Sequence, residues 1–322
     1  MKFLVTGGAG YIGSHMVKFL QDKRFQVDVI DNFSTGNEWA VSNCSVYDID
    51  LLNYDALNNI LSQNNYNAVF HFAAKSVVND SFLNEQEYYD NNVIASTNLI
   101  EAMLKHNMNN IIFSSSASVF GEVKSTKINE SHPKIPVNPY GKTKLIFEQI
   151  LSETSNKLNL DAVILRYFNV AGADKSGKIG ELHAPETHLI PTIFNNFINE
   201  RNILSIYGND HNTKDGTCVR DYIHVNDIIN AHYLAFKKLK NESGCLDFNL
   251  GNGNGFSVLE IIRACEFVTK KKVNYKFVNK REGEPGHLVA DSSKANSELS
   301  WVTSYKDIKD IIKSAWNWHS TL

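Results

Sequence analysis

Residues 2–6 (KFLVT) form a short apolar run that leads directly into GGAGYIG at residues 7–13. A helical pattern of Met16, Val17, Phe19 and Leu20 follows. The order is strand, glycine turn, helix. Glycines at 7, 10 and 13 permit a tight turn, close backbone approach to a phosphate, and close helix packing, with the helix start facing the pyrophosphate of a dinucleotide. The spacing is G-x-x-G-x-x-G rather than the commoner G-x-G-x-x-G. A second apolar run, residues 26–30, ends at Asp31. An acid there can accept hydrogen bonds from the ribose diol of an adenosine and repels a 2′-phosphate, so NAD is expected rather than NADP.

The alternation continues. Residues 48–50 close a third strand, 54–61 are helical, and 68–72 (AVFHF) make a buried strand. A long helix is expected over 82–106, a fifth strand at 111–113, a helix over 140–158 and a strand at 162–165. Strands alternating with helices at this rhythm imply right-handed crossovers and an α/β fold with a doubly wound parallel sheet. Ligands bind outside the carboxyl ends of such strands. Gly7 to Gly13, Asp31, Asp48, Phe72 with Ala73, and Ser114 to Ser116 all fall there.

Beyond Arg166 the chain is loop-rich to residue 220, with one helix near 190–199. We read a nucleotide-binding domain over residues 1–168, with segments near 218–250 returning to it, and a smaller, interleaved C-terminal substrate domain over 169–322. The strand-like stretches 222–225 and 246–250 are the candidates for return to the sheet. Glycines 251, 253 and 255 resemble a second phosphate loop, but Ser257 followed by Glu260 is a capping box, which accounts for a loop entering a helix without a ligand.

A chain of 322 residues, 43% hydrophobic and 21% charged, can bury a sizeable core. Its formal net charge of −3 argues against a dedicated nucleic-acid surface. Cys44, Cys218, Cys245 and Cys265 lack metal-type spacing and read as reduced thiols of a cytoplasmic protein. Glu181, His183, Glu186 and His188 lack helical ligand spacing, so no metal site is expected there. No apolar run is long enough to span a bilayer, and Gly7 and Gly8 interrupt the N-terminal run too early for a signal peptide.

The chemistry concentrates in Asn138 to Lys144. Tyr140 and Lys144 are four residues apart at a helix start, hence on one face. A lysine ammonium favours the phenolate, so Tyr140 can take a proton from a hydroxyl. Ser116, ending the fifth strand, supplies a hydroxyl partner. With NAD in the same crevice, this triad predicts hydride transfer at a carbinol carbon.

Residues 5–15 (VTGGAGYIGSH), 113–121 (FSSSASVFG), 139–144 (PYGKTK) and 166–172 (RYFNVAG) resemble the extended short-chain dehydrogenase/reductase superfamily. Residues 166–172, 215–225 (DGTCVRDYIHV) and 281–284 (REGE) are similar to its UDP-glucose 4-epimerase family. The resemblance implies a Rossmann domain and an isomerase that interconverts UDP-glucose and UDP-galactose. It assigns Tyr140 as acid/base on the sugar 4-hydroxyl, Lys144 as its electrostatic partner and a ribose ligand, and Ser116 as hydrogen-bond partner of the reacting oxygen. It places Gly7, Gly10, Tyr11, Ile12 and Gly13 at the pyrophosphate of NAD, and Asp31, Asn32, Ser34, Thr35 and Gly36 at the adenosine. Asp48 and Ile49 would border the adenine, with Phe72, Ala73, Asn91 and Phe168 completing the site. Asn169, His188, Leu189, Tyr207, Arg220, Arg281 and Glu284 would meet the UDP-sugar, the two arginines suiting a diphosphate. C4 would be oxidised to a 4-keto sugar by tightly bound NAD, and the sugar would turn over and be reduced on its other face. A homodimer joined through the helices near 82–106 and 140–158 is also implied.

Three positions depart from relatives. Ser76 stands where some have a lysine near the cofactor, and His188 where some have an asparagine. Leu288 replaces a tyrosine that walls the sugar 2-position in galactose-restricted enzymes, which makes UDP-GlcNAc and UDP-GalNAc alternative substrates. Dehydratases of this fold carry an acid just after the strand-five hydroxyl, whereas Ala117, Ser118 and Val119 offer none. The intact triad argues against a non-catalytic NAD-sensing module.

Overall fold

The alternating runs assemble into a seven-stranded sheet ordered Cys245–Leu250, Asp161–Tyr167, Asn110–Ser116, Ala68–His71, Lys2–Thr6, Gln26–Asp31, Ser45–Asp48. Lys2–Thr6 is an inner strand, parallel to Gln26–Asp31 on one side and to the central strand Ala68–His71 on the other. The chain builds outward one way through Ser45–Asp48, then returns to the other side of the first strand. That change of direction opens the strand ends at Thr6 and His71, where a doubly wound sheet takes its ligand. These coordinates are a computed structural model describing residues 1–123, 125–198, 203–281 and 283–322.

The sheet centres the first of two units, Met1–Val119, Asn138–Arg166 and Ile229–Phe248. Its inner strands are buried on both faces because helices cover both, whereas the edge strand Ser45–Asp48 is largely exposed. Leu57, Leu61, Leu99, Met103, Phe147 and Leu151, from the helices Tyr54–Ser62, Ala95–Lys105 and Pro139–Lys157, close one face over Leu4, Val69, Phe113 and Ile164. On the opposite face Phe3 meets Phe236 edge-on at 4.9 Å between centroids.

The second unit, Phe120–Val137, Tyr167–Ile228 and Asn249–Leu322, has its own core around Ile193, Phe194, Ile261 and Ile311. Its strand Val219–His224 pairs in parallel with Asn169–Ala171 and His287–Leu288, and antiparallel with Gly255–Ser257. Of the two stretches expected to return to the large sheet, only Cys245–Leu250 does so; residues 222–224 belong to the smaller sheet instead, and Val225 starts a helix. The expected helix near 190–199 is Leu189–Ile198, and position 199 lies outside the described residues.

The long helix expected over 82–106 is divided into Val78–Leu83, Glu85–Tyr89, a π-turn at Asp90–Ile94, and Ala95–Lys105. Asn84 takes a non-helical conformation (φ −127°, ψ 43°) and separates the first two. No helix among the described residues is long and apolar enough to cross a membrane.

Candidate active site

Tyr140 stands on the first turn of the helix Pro139–Lys157, and the local sequence explains why the helix begins there. Asn138 is extended and its side-chain oxygen accepts the Gly141 N–H at 2.8 Å, while Pro139 occupies the first helical position, where no N–H is needed. Tyr140, Lys144 and Ser116 are all buried. The Ser116 side chain acts on the Tyr140 phenol in the direction that lowers its pKa. The Ser116 hydroxyl oxygen also accepts the Ser118 N–H at 3.1 Å. Lys144 Nζ donates to the Ser114 carbonyl at 2.8 Å, 4.8 Å from the Phe113 ring centre and 5.9 Å from that of Tyr140. The three expected residues are together.

Their electrostatics differ from the simple expectation. Burial pushes the Tyr140 phenol above its ordinary value, and the Ser116 side chain offsets part of that rise. Burial also lowers Lys144 to about 7, opposed by the Glu148 carboxylate one turn along the helix. The Lys144 charge, the feature expected to favour the phenolate, is lost as pH rises through about 7.

The glycine turn has the shape of an anion cradle. A Cβ at Gly13 would lie 2.0 Å from the Gly7 carbonyl oxygen. Gly7 has φ +69° and a Cβ there would come within 2.5 Å of the Ala73 backbone nitrogen. The turn thus packs directly on Phe72 and Ala73 at the neighbouring strand end. The helix Tyr11–Asp22 starts with Gly10 at its cap, without a side-chain cap and without an acid in its first turn. Such a helix start leaves room for an anion and fits a pyrophosphate.

Asp31 Oδ2 accepts the Ala9 N–H at 2.8 Å and Oδ1 the Phe33 N–H at 2.9 Å, tying the acid to the glycine turn. Burial raises its pKa, opposed by those two N–H bonds, while Asp48, its register partner, raises it further. Gly36 packs on Ala9, the Ser34 N–H donates to Asn32 Oδ1, and Asn32 in turn bonds Asp50 at 2.8 Å. Thr35 lies within the same turn and Ile49 packs against the core beside Asp48. Carboxylate, cradle and turn fit an adenosine diphosphate. Asn91 lies on the π-turn, and Phe168 is buried in the second unit. At the departure Ser76, the neighbouring Lys75 is already paired with Glu87 at 2.5 Å.

In the second unit, Arg220 Nη2 donates to Glu284 Oε1 at 3.2 Å, and Leu288 faces Arg220 in register. The Arg281 guanidinium stacks 3.7 Å from the Tyr207 ring centre. Arg281 Nε is buried without a hydrogen-bond partner among the described residues. A buried guanidinium N–H in that state is costly, and a ligand phosphate is the group that would satisfy it. Asn169 begins a strand paired to Tyr222, two residues from Arg220, while His188 and Leu189 lie at the start of Leu189–Ile198. The loop of glycines at 251–255 is organised by an internal carboxylate. Asp221, fully buried, accepts the Asn252 and Gly253 N–H groups at 2.8 Å each, and Ser257 and Glu260 form the expected capping box.

Two groups escaped sequence reading. Asn92 is buried; its Oδ1 accepts the Lys75 N–H at 2.8 Å and its Nδ2 donates to the Lys75 carbonyl and to Thr143 Oγ1. It thereby pins the strand-four loop to the helix of Tyr140 and Lys144. Arg166 is the other, bidentate on Glu148 (2.7 and 2.8 Å) and bonded to Asp247 at 2.7 Å.

Residues 3–251 match the NAD dependent epimerase/dehydratase family. The UDP-glucose 4-epimerase of Halalkalibacterium halodurans is 45% identical over 99% of this chain and 96% of its own. The structure of UDP-glucose 4-epimerase from Bifidobacterium longum in complex with NAD+ and UDP superposes with a TM-score of 0.95 at 36% identity, covering 100% of this chain and 98% of that one. The UDP-Glc/GlcNAc 4-epimerase of Campylobacter jejuni superposes at 0.86 and 37% identity, covering 100% and 99%. With cradle, triad and full-length likeness in agreement, the chain belongs to the NAD dependent epimerase/dehydratase family.

Proposed function

We propose that this protein is a UDP-glucose 4-epimerase using NAD. The observation that carries this reading is the buried Ser116, Tyr140 and Lys144 constellation, in the same unit as the Gly7–Gly13 cradle. The first unit would hold NAD and the second the UDP-sugar. NAD held by the Gly7–Gly13 turn and Asp31 would supply a reversible hydride sink, and its positive charge in the oxidised form would favour the phenolate of Tyr140. Tyr140 takes the proton from the 4-hydroxyl and returns it after the 4-keto sugar has turned. Ser116 holds the same oxygen, and Arg220 and Arg281 hold the diphosphate while the hexose reorients. Purified protein incubated with UDP-galactose and no added oxidant or reductant should yield UDP-glucose at the equilibrium ratio. No interconversion would sink the proposal.

Leu288 and the likeness to an enzyme acting on UDP-Glc and UDP-GlcNAc favour a broader substrate range. The wild-type protein should then convert UDP-GlcNAc. Leu288→Tyr, by filling the space for the N-acetyl group, should cost about tenfold or more in kcat/KM for UDP-GlcNAc while sparing UDP-glucose. Equal losses on both sugars would remove this role for Leu288.

We further propose a homodimer in the cytoplasm. The segment Val78–Ile94 exposes Leu83 (83%), with Phe82, Tyr89 and Ile94 also exposed, an apolar series a partner copy would cover. Light scattering should give twice the chain mass, and Leu83→Lys should weaken self-association by about tenfold or more. A monomeric wild type would contradict it.

A further inference from the structure

Spacing alone gives no reason to group Glu181, His183, Glu186 and His188, yet their donor atoms all lie within 4.8 Å of one another. The expectation against a metal rested on helical spacing, and this segment reaches convergence through a loop. His183 Nδ1 is 3.7 Å from Glu181 Oε1 and 3.4 Å from Glu186 Oε2. His188 Nδ1 is 2.8 Å from Glu181 Oε1 and 3.4 Å from Glu186 Oε1. Both rings thus turn the same nitrogen toward the same pair of carboxylates. A tetrahedral ion with bonds of 2.0–2.1 Å sets its ligand atoms about 3.3 Å apart. Glu186 turns Oε2 to His183 and Oε1 to His188, and three of the four separations are 3.4 to 3.7 Å, near that edge. The 2.8 Å His188–Glu181 contact is a direct hydrogen bond that an ion would open.

Charge argues the same way. The Glu181 and Glu186 side chains are only 8% and 7% exposed. Among the described residues no lysine or arginine forms an ion pair with either. Two enclosed carboxylates side by side call for two positive charges. The surroundings also hold the ligands in place. Glu186 Oε1 accepts the N–H groups of Thr187 and His188 at 2.8 Å each, which orients the carboxylate. The Glu181 carbonyl accepts from Trp318 Nε1 at 3.3 Å, fixing the other end of the segment.

We propose that Glu181, His183, Glu186 and His188 form a four-coordinate site for a divalent cation of the zinc type. Two imidazole nitrogens and two carboxylate oxygens suit Zn²⁺, whereas Mg²⁺ and Ca²⁺ take all-oxygen shells. Ligation through Nδ1 leaves His188 Nε2 as an N–H donor in fixed orientation, immediately before Leu189. The cation would therefore brace the start of Leu189–Ile198. The competing arrangement is protonation of the imidazoles with no metal.

The test uses the full chain, without a histidine tag, stripped with EDTA and then freed of it. Calorimetry with Zn²⁺ should show one ion per chain, and Co²⁺ should develop the intense visible bands of a tetrahedral site. Those bands should come without the near-ultraviolet thiolate charge transfer that binding at cysteine would produce. Glu186→Gln and His183→Gln, with folding checked by circular dichroism, should each weaken binding by more than about tenfold. Absence of stoichiometric binding by the wild type, an octahedral or thiolate Co²⁺ spectrum, or full affinity in both folded variants would overturn the site. Should neither variant fold, the wild-type stoichiometry and spectrum decide.

Discussion

Tyr140→Phe is expected to lower kcat by about 10²- to 10⁴-fold, the range that a positioned proton-transfer group contributes, while purified protein retains its NAD. Phenylalanine keeps the ring that packs in this buried position and removes only the hydroxyl on which the Ser116 side chain acts. The cradle at Gly7 to Gly13 and the acid at Asp31 are untouched, so cofactor content, measured after denaturation, should match the wild type. Activity within a few-fold of wild type would show that another group moves the proton. Lys144 is less clean, because its ammonium also donates to the Ser114 carbonyl. Its loss alters both the charge beside the phenol and the strand end that carries Ser116. Titration near 7 further predicts that any help Lys144 gives the phenolate in the ligand-free protein is present below that pH and fades above it.

The parts legible in the sequence were those whose chemistry is local. Gly7, Gly10 and Gly13 sit in seven consecutive residues, Asp31 follows an apolar run, and Tyr140 and Lys144 are one helical turn apart. Each is set by backbone geometry within a few residues. What escaped depends on distant pairing. Residues 222–225 read as a strand, but which sheet a strand joins is decided by partners such as Asn169–Ala171 and His287–Leu288. The π-turn at Asp90–Ile94 carries no proline or glycine to announce it, and Asn92 within it bonds Lys75 and Thr143. The convergence of Glu181, His183, Glu186 and His188 is set by a loop, which unlike a helix has no periodicity to read.

Removing Arg166 is expected to destabilise the folded protein by about 3–5 kcal/mol, because it leaves Glu148 as an enclosed charge without its partner. Both guanidinium bonds to Glu148 are short, Ser115 Oγ donates to the same carboxylate at 2.6 Å, and Arg166 and Glu148 side chains are 2% and 4% exposed. Asp247 is 28% exposed and can turn to solvent. Arg166→Met should therefore lower the urea midpoint sharply at fixed NAD, and Glu148→Gln should do so as well, since it removes the carboxylate charge that takes two of the guanidinium's bonds. The double variant Glu148→Leu with Arg166→Met removes both charges and should lose less than the sum of the two single losses. Additive losses, or single losses below about 1 kcal/mol, would show that the pair is not coupled in this way. The pair also bears on chemistry. Burial lowers Lys144 and Glu148 is the charge that opposes it, so neutralising Glu148 should depress Lys144 further and move any Lys144-dependent limb of the pH–rate profile to lower pH. A variant that lost stability with an unchanged pH profile would confine the network to holding the sheet and helix together.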